Sequence, residues 1–258
     1  MIKKLNSNNS LHISRLFPNM VTILGLCAGL TAIRFALAGK WEWAVGFIVI
    51  AALIDATDGR LARMLKSTSE FGAQLDSLAD FFNFGVAPPL ILYLWITSEV
   101  KGFGWALVLF FAICAAIRLA RFNTNLGNEP EAPWANRFFV GIPSPGGAML
   151  ALFPMTLTFE FGNQFTKLFI IGGYDYFPVS IIVYCALVGA GMASRLPTYS
   201  LKKVTIKPQS ASLILVVVGT LVISAIIEPW LTLCFSGVIY LLSMPVGVLH
   251  YYILKHRQ

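Results

Sequence analysis

Eight apolar stretches, each about long enough to cross a bilayer as a helix, follow one another along the chain with short polar segments between them. They occupy residues 17–38, 42–65, 71–97, 103–122, 144–160, 178–193, 211–227 and 229–253. Only 12% of the residues are charged, whereas a soluble domain carries about 25%. The sequence therefore predicts an all-α polytopic membrane protein with about eight transmembrane helices.

The basic residues predict how these helices are oriented. With the N-terminus placed inside, fifteen of the 19 lysines and arginines fall in internal segments. Arg34 then falls within the first span, and only Lys40, Lys101 and Lys167 lie outside. This asymmetry is the positive-inside pattern, so both termini are predicted to be cytoplasmic.

The net charge of +7 follows mostly from this topology, with attraction to anionic headgroups as a second explanation. No nucleic-acid partner is expected, because the basic residues are divided among five cytoplasmic segments instead of forming one stripe. We expect residues 1–16 to form a cytoplasmic or interfacial segment and residues 17–254 to form one membrane domain. The predicted location is the inner membrane of a prokaryote, with the functional site facing the cytoplasm.

Four of the five aspartates lie close together in the second and third spans, at Asp55, Asp58, Asp76 and Asp80. At about 100° per residue, the first two share one stripe of their helix and the last two share a stripe of theirs. The short polar turn at residues 66–70 makes the two helices antiparallel neighbours. The sequence therefore predicts that the four carboxylates converge near the cytoplasmic face.

Carboxylates gathered in an apolar setting need protons, basic partners or metal ions to neutralise them. The nearby basic residues are Arg60, Arg63 and Lys66, and Arg60 points away from Asp55 on the helix. Carboxylate oxygens suit Mg²⁺, Mn²⁺ or Ca²⁺, and two such ions bridged by four aspartates would balance the charge. A two-metal arrangement of this kind stabilises displacement at phosphorus.

Small residues stand beside the aspartates. Gly59 removes a side chain next to Asp58, where a bulky ligand could lie against the helix. Ala62 and Gly72 would do the same or let the two helices approach, with simple small-residue packing as the alternative.

The full spacing is Asp55-x2-Asp58-Gly59-x2-Ala62-Arg63-x8-Gly72-x3-Asp76-x3-Asp80, and it resembles the signature of the CDP-alcohol phosphatidyltransferase family at all eight positions. In that family the phosphatidyl group of a CDP-linked lipid is transferred to an alcohol, with release of CMP. The resemblance implies that the four aspartates hold two divalent ions, Mg²⁺ or Mn²⁺. It also implies that Asp58, Gly59, Ala62 and Arg63 line the cytidine diphosphate site, with Gly72 close by. Asp80 would double as the base for the incoming hydroxyl.

Further segments resemble the branch of that family whose acceptor is L-serine, namely residues 79–90, 118–124, 138–148 and 194–200. The resemblance implies CDP-diacylglycerol and L-serine as substrates, CMP as a product, and a homodimer. Asn83 departs from a serine found in many members. Choline, inositol phosphate and glycerol 3-phosphate remain alternative acceptors, and an ion-coupled transporter is the alternative from another class.

Candidate acceptor residues lie at the cytoplasmic end of the fourth span. Arg118 and Arg121 are one turn apart on one face, and arginine binds a carboxylate through two parallel hydrogen bonds. We predict that they hold the serine carboxylate or the lipid phosphate, with positive-inside anchoring as the alternative. Asn83 and Asn123 are further hydrogen-bonding candidates.

Other polar residues carry weaker expectations. Arg137 and Arg195 are predicted to be loop anchors, with lid or phosphate contacts as the alternative. Ser144 is a candidate substrate contact but not a nucleophile, because the three histidines lie near the ends of the chain. The four cysteines stand singly in apolar spans and are expected to be packing residues.

Overall fold

The computed structural model describes residues 13–65, 69–124, 138–199 and 211–255, and within these ranges the chain is almost entirely helical. The helices are α1 (Ile13–Leu37), α2 (Trp41–Met64), α3 (Glu70–Asp80), α4 (Ala87–Trp95), α5 (Lys101–Thr124), α6 (Ser144–Phe161), α7 (Asn163–Lys167), α8 (Phe177–Ala193), α9 (Ala211–Ile227) and α10 (Pro229–Lys255). A π-helical turn at Phe81–Val86 joins α3 to α4, and a 3₁₀ turn covers Thr97–Glu99. The strands are β1 (Phe138–Val140), β2 (Ile170–Ile171), β3 (Tyr174–Asp175) and β4 (Pro197–Tyr199). The all-α prediction is confirmed.

Four helical stretches of the described part are long and apolar enough to cross a membrane: Phe17–Leu37, Glu70–Trp95, Lys101–Thr124 and Pro229–Lys255. Phe177–Ala193 and Ser212–Ile227 are shorter apolar helices. The 24-residue helix α2 carries several charged residues in its C-terminal half, and α6 has 18 residues. The chain is an integral membrane protein, and eight crossings stay a prediction.

Small residues let the helices pack closely at the centre of the molecule. Ala32 and Ala36 of α1 and Ala44 of α2 are buried where these two helices run side by side. Helix α5 packs on α8 and on the π-helical turn, and α6 lies between α8 and α10. The large buried side chains Phe84 and Phe111 fill the space between these helices.

The π-helical turn begins directly after Asp80 and has a local cause. Pro88 and Pro89 occupy the first turn of α4 and have no backbone N–H, so the carbonyl groups four residues before them receive no α-helical hydrogen bond. The chain widens instead, and the Ala87 N–H donates to the Phe82 carbonyl five residues earlier. The sequence predicted one uninterrupted helix over residues 71–97, so this turn is a departure from that prediction.

A short antiparallel ladder connects the segment before α6 to the segment after α8. Strand β1 pairs with β4, with Phe138 opposite Tyr199. Gly141 follows β1 with a φ of +78°, and its N–H donates to the Leu196 carbonyl at 2.8 Å. A side chain at this position would be strained by the left-handed backbone. The Tyr199 hydroxyl lies 2.8 Å from His250 Nδ1, which connects the ladder to α10.

Candidate active site

A cavity of about 390 Å³ opens between α1, α2, α3 and α5. Its lining is polar on the α2 and α3 sides, where the sequence placed the acidic motif. The residues described around it are Pro18, Asn19, Thr22, Asp58, Gly59, Arg63, Ser69, Gly72, Ala73, Asp76, Ser77, Asp80, Leu119, Phe122 and Asn123.

Three aspartates form a tight cluster beside this cavity. Asp55 of α2 and Asp76 and Asp80 of α3 each bring one carboxylate oxygen within 4.8 Å of the others. The carboxyl groups of Asp55 and Asp80 are in hydrogen-bonding contact. Two carboxylates so close repel each other unless a proton or a cation lies between them.

Asp58 stands next to the cluster and is held from another helix. It is only 4% exposed, and the Thr22 hydroxyl of α1 donates to its Oδ2 at 2.8 Å. Asp58 lies within electrostatic range of Asp55 and Asp76. The structure therefore brings all four aspartates into one region, although Asp58 is not part of the tight cluster.

The residues present fit a hard divalent cation. All the clustered donors are carboxylate oxygens, which Mg²⁺ and Mn²⁺ prefer. Among the described residues Asp80 Oδ1 is buried without a hydrogen-bond partner, so it is available as a ligand atom. When the metal–oxygen bonds are about 2.1–2.4 Å long, two oxygens on opposite sides of the ion lie about 4–5 Å apart. The clustered carboxylate oxygens, which lie within 4.8 Å of one another, agree with this distance.

The small residues of the motif differ in their surroundings. A Cβ at Gly59 would meet nothing within 4 Å, so this face of α2 opens onto the cavity. A Cβ at Gly72 would lie 2.8 Å from Asn19 Oδ1, so Gly72 lets α1 approach α3. Arg63 is exposed at the cavity edge, and its Nε donates to the Gly59 carbonyl at 3.0 Å. The side chain of Ala62 lies outside the described part of the chain.

The two candidate asparagines lie in different places. Asn123 of α5 lines the cavity, and its Nδ2 donates to the Ser77 hydroxyl at 3.1 Å. Asn83 is 2% exposed and packs against α1, where a Cβ at Gly29 would overlap its Oδ1. Asn83 belongs to the π-helical turn and is not among the described residues that line the cavity, so its shared face with Asp76 and Asp80 stays a prediction.

The two candidate arginines also point to different partners. Arg118 donates through Nη1 to the hydroxyl of Ser144 at 2.6 Å, and its charge interacts with Asp80. Arg121 donates through its own Nη1 to the carbonyl groups of Ala193 and Ser194, at 2.9 and 3.0 Å. Arg121 therefore binds the carbonyl groups at the C-terminal end of α8, where a cation is favourable.

The remaining predicted residues lie away from the cavity or outside the described part. Arg195 is exposed and is not among the described lining residues, and Arg137 lies outside the described ranges. Ser144 is fully buried, and its described partner is Arg118. Cys114, Cys185 and Cys234 are buried in helices, as packing residues would be, whereas Cys27 is exposed.

Sequence reasoning did not single out the polar residues that α1 contributes. Asn19 and Thr22 line the cavity from this helix, three positions apart. The available signal was the i, i+3 spacing of two polar residues in an otherwise apolar span, next to Pro18. Ser77 was missed in the same way, although it lies beside Asp76 in the motif.

The apolar helix bundle defines the class as an integral membrane protein. Its carboxylate cluster suits a hard cation, and the adjoining polar cavity suits a bulky polar ligand. Within that class the family is clear from comparison. The chain belongs to the CDP-alcohol phosphatidyltransferase family, whose model matches residues 15–256.

Several bacterial proteins named CDP-diacylglycerol–serine O-phosphatidyltransferase are similar to this chain. The protein of Mycobacterium tuberculosis H37Rv is 34% identical over 240 residues, covering 91% of this chain and 78% of its own length. That of Helicobacter pylori 26695 is 35% identical over 189 residues, covering 73% and 74%. That of Bacillus subtilis 168 is 35% identical over 132 residues, covering 51% and 71%.

Proposed function

We propose that this protein is a phosphatidylserine synthase. It transfers the phosphatidyl group of CDP-diacylglycerol to the hydroxyl of L-serine and gives phosphatidylserine and CMP. The observation that carries the proposal is the identity of 34% over 91% of the chain to proteins named for this reaction. The acidic cluster beside the polar cavity supplies a site where the chemistry can take place.

We assign the divalent ions to the four aspartates. Asp55, Asp76 and Asp80 would bind through the clustered oxygens, and Asp58 would complete the set from its position against Thr22. Two ions, Mg²⁺ or Mn²⁺, would neutralise the diphosphate and stabilise the charge that develops as CMP leaves. The oxygen-only donor set supports this assignment.

The nucleotide is assigned to the open face of α2. Gly59 leaves space there, and the exposed Arg63 stands one turn further along the same helix. Ala62 and Gly72 belong to the same assignment through the family signature. The acyl chains would stay in the bilayer while the cytidine diphosphate enters the polar cavity.

The transfer needs one proton acceptor. The serine oxygen forms a bond to the phosphorus that carries diacylglycerol, and the bond from that phosphorus to the CMP oxygen breaks. The serine hydroxyl proton goes to Asp80, whose buried Oδ1 has no hydrogen-bond partner among the described residues. No protein nucleophile is required, because the acceptor itself attacks.

The acceptor is assigned to the residues around Arg118. Its guanidinium lies between Asp80 and the start of α6, so it can bind a carboxylate while the hydroxyl faces the base. Asn123 and Asn83 remain candidate hydrogen-bonding residues. Arg121 is better explained as an anchor for α8, although an indirect contribution to the acceptor site stays in the proposal.

The proposed setting follows the charge pattern and the bacterial relatives. The protein would cross the inner membrane of a prokaryote eight times, with both termini and the active site on the cytoplasmic side. Residues 17–254 would form the membrane domain, and two copies would associate as a homodimer. Serine and CMP would then exchange with the cytoplasm.

Transfer by the purified, detergent-solubilised protein tests the function. CDP-diacylglycerol is supplied with Mg²⁺ or Mn²⁺, and serine, choline, inositol phosphate and glycerol 3-phosphate are offered separately. Release of CMP and formation of lipid with serine alone is the expected result. Product with another alcohol would overturn the acceptor, and no product with any of the four would contradict the proposal.

A further inference from the structure

Several buried polar side-chain atoms of the described residues have no hydrogen-bond partner, and two of them, on Arg118 and Tyr240, belong to residues that interact electrostatically. Within the described part of the chain these atoms are Asp80 Oδ1, Asn83 Oδ1, Arg118 Nε and the hydroxyl of Tyr240. Buried polar groups almost always find hydrogen bonds, so such atoms indicate a place where a ligand supplies the missing partners. The charge of Arg118 interacts with Asp80 on one side and with Tyr240 on the other.

Tyr240 belongs to α10 and reaches the start of α6. A Cβ built on Gly146 would lie 2.8 Å from the Tyr240 hydroxyl, so this hydroxyl rests directly against the first turn of α6. Ser144, at the first position of the same turn, accepts the hydrogen bond from Arg118 Nη1. Arg118 and Tyr240 therefore approach the same end of α6 from two different helices.

Behind this point lies a second cavity of about 280 Å³ between α6 and α10. Its walls are mostly apolar, with Met149, Phe153 and Leu233 among them. Tyr240 and Gly146 also line it, and Gly146 lies two positions after Ser144, the partner of Arg118. The hydroxyls of Thr156 and Ser236 in this lining donate to backbone carbonyl groups of their own helices, and neither is bonded to the Tyr240 hydroxyl. The Arg118 side is therefore where a charged ligand group could meet that hydroxyl.

We propose that Tyr240 is a specificity-determining residue for the acceptor. Its O–H and the Nε–H of Arg118 are two unused donors beside a positive charge, and this combination matches a carboxylate. A carboxylate held there turns the hydroxyl of the same small amino acid toward Asp80. The inference rests on the proposed function, and it assigns α10 a part in choosing the acceptor.

The substitution Tyr240→Phe tests this assignment. A hydrogen bond to a charged group is worth about 1.5–3 kcal/mol, so the KM for serine is expected to rise roughly tenfold or more. The inhibition constant of L-alanine, which keeps the carboxylate, should rise by a similar factor. The inhibition constant of ethanolamine, which lacks the carboxylate, should not change, and neither should the KM for CDP-diacylglycerol.

Tyr184→Phe is the matched control. The hydroxyl of Tyr184 donates to the Leu150 carbonyl at 3.0 Å, so its loss removes a contact between two helices. We expect this variant to melt at a lower temperature and to keep the wild-type KM for serine. Combining Tyr240→Phe with Arg118→Lys should raise that KM by less than the product of the single effects, because both residues hold one group.

The outcomes separate this inference from the proposed function. Wild-type protein that releases no CMP with serine would end the proposed function, whatever Tyr240 does. If the wild-type protein is active and Tyr240→Phe has a serine KM within twofold of the wild-type value, only the role of Tyr240 is overturned. An equal rise in the ethanolamine inhibition constant would also overturn it, because the hydroxyl would then act through packing.

Discussion

At the scale of single residues, the aspartates have different environments although they share one motif. Asp80 has a buried, unpartnered oxygen and contacts Asp55, whereas Asp58 accepts a hydrogen bond from Thr22. A carboxylate whose oxygens are already engaged by the protein is less available for proton transfer. The geometry therefore favours Asp80 over Asp58 as the proton acceptor.

Asp80→Asn is expected to lower kcat by at least about a hundredfold, because the amide accepts no proton and is a weaker metal ligand. The rate of CMP release checks this. Asp175→Asn is the matched control, since Asp175 is the aspartate outside the motif and accepts a hydrogen bond from the Phe177 N–H at 2.8 Å. Near-normal turnover by Asp80→Asn would remove Asp80 from the reaction.

Gly59→Ala is expected to weaken nucleotide binding without destabilising the protein. A Cβ there meets no protein atom within 4 Å, and alanine favours the helix by about 0.5–1 kcal/mol. The KM for CDP-diacylglycerol should rise while the melting temperature stays the same or increases.

Gly46→Ala provides the comparison for Gly59→Ala, because Gly46 is also in α2 and is equally free of close neighbours. It should give the same gain in stability and leave the KM unchanged. If the two alanine variants bind CDP-diacylglycerol equally well, the nucleotide does not lie against Gly59.

At the scale of helices, two arginines of α5 contact different neighbouring helices. Arg121 binds the last carbonyl groups of α8, and Arg118, one turn earlier, binds the start of α6. Arg121→Lys is expected to lower the melting temperature with little change in the KM for serine, because the shorter lysine side chain places its ammonium group less well against the two carbonyl groups that Nη1 of Arg121 reaches. Arg118→Lys should raise the KM for serine and change the melting temperature little. A raised serine KM in Arg121→Lys at unchanged stability would instead favour the direct role predicted from the sequence.

The contact between α1 and the π-helical turn leads to a second prediction at this scale. A Cβ at Gly29 would overlap Asn83 Oδ1, so Gly29→Ala should cost about 1–3 kcal/mol of stability. Adding Asn83→Ser should restore part of that loss, because the shorter side chain frees space. Thermal unfolding of both variants measures the coupling. Additive effects would show that the two residues do not constrain each other.

Helix positions followed well from the sequence, and side-chain directions did not. The apolar stretches predicted each long helix to within about four residues at its ends, because lipid requires a continuous hydrogen-bonded backbone. The π-helical turn was not predicted, because two prolines can end, kink or widen a helix, and their presence alone does not say which. The different partners of Arg118 and Arg121 were also hidden, because spacing on one helix says nothing about its neighbours.

At the scale of the whole molecule, the predicted topology places charged residues on defined sides. We expect a membrane-impermeant thiol reagent to label Lys101→Cys and Lys167→Cys from outside intact cells. Arg60→Cys and Arg195→Cys should react only after the membrane is opened. The four native cysteines are replaced beforehand, because Cys27 is exposed. Labelling of Arg195→Cys in intact cells would contradict the eight-span topology.

All the described residues that line the 390 Å³ cavity lie between Pro18 and Asn123, in the first half of the chain. Ser144, which accepts a hydrogen bond from Arg118, and Tyr240, which interacts with its charge, come from the second half. Under the proposed function, the groups that handle the nucleotide thus all lie in the first half of the chain, whereas the acceptor site combines Arg118 from the first half with Tyr240 from the second. A substitution late in the chain, such as one at position 240, can therefore alter the choice of alcohol while the residues around the nucleotide stay unchanged, and a chimera of two relatives joined after α5 would test how much of that choice the second half carries.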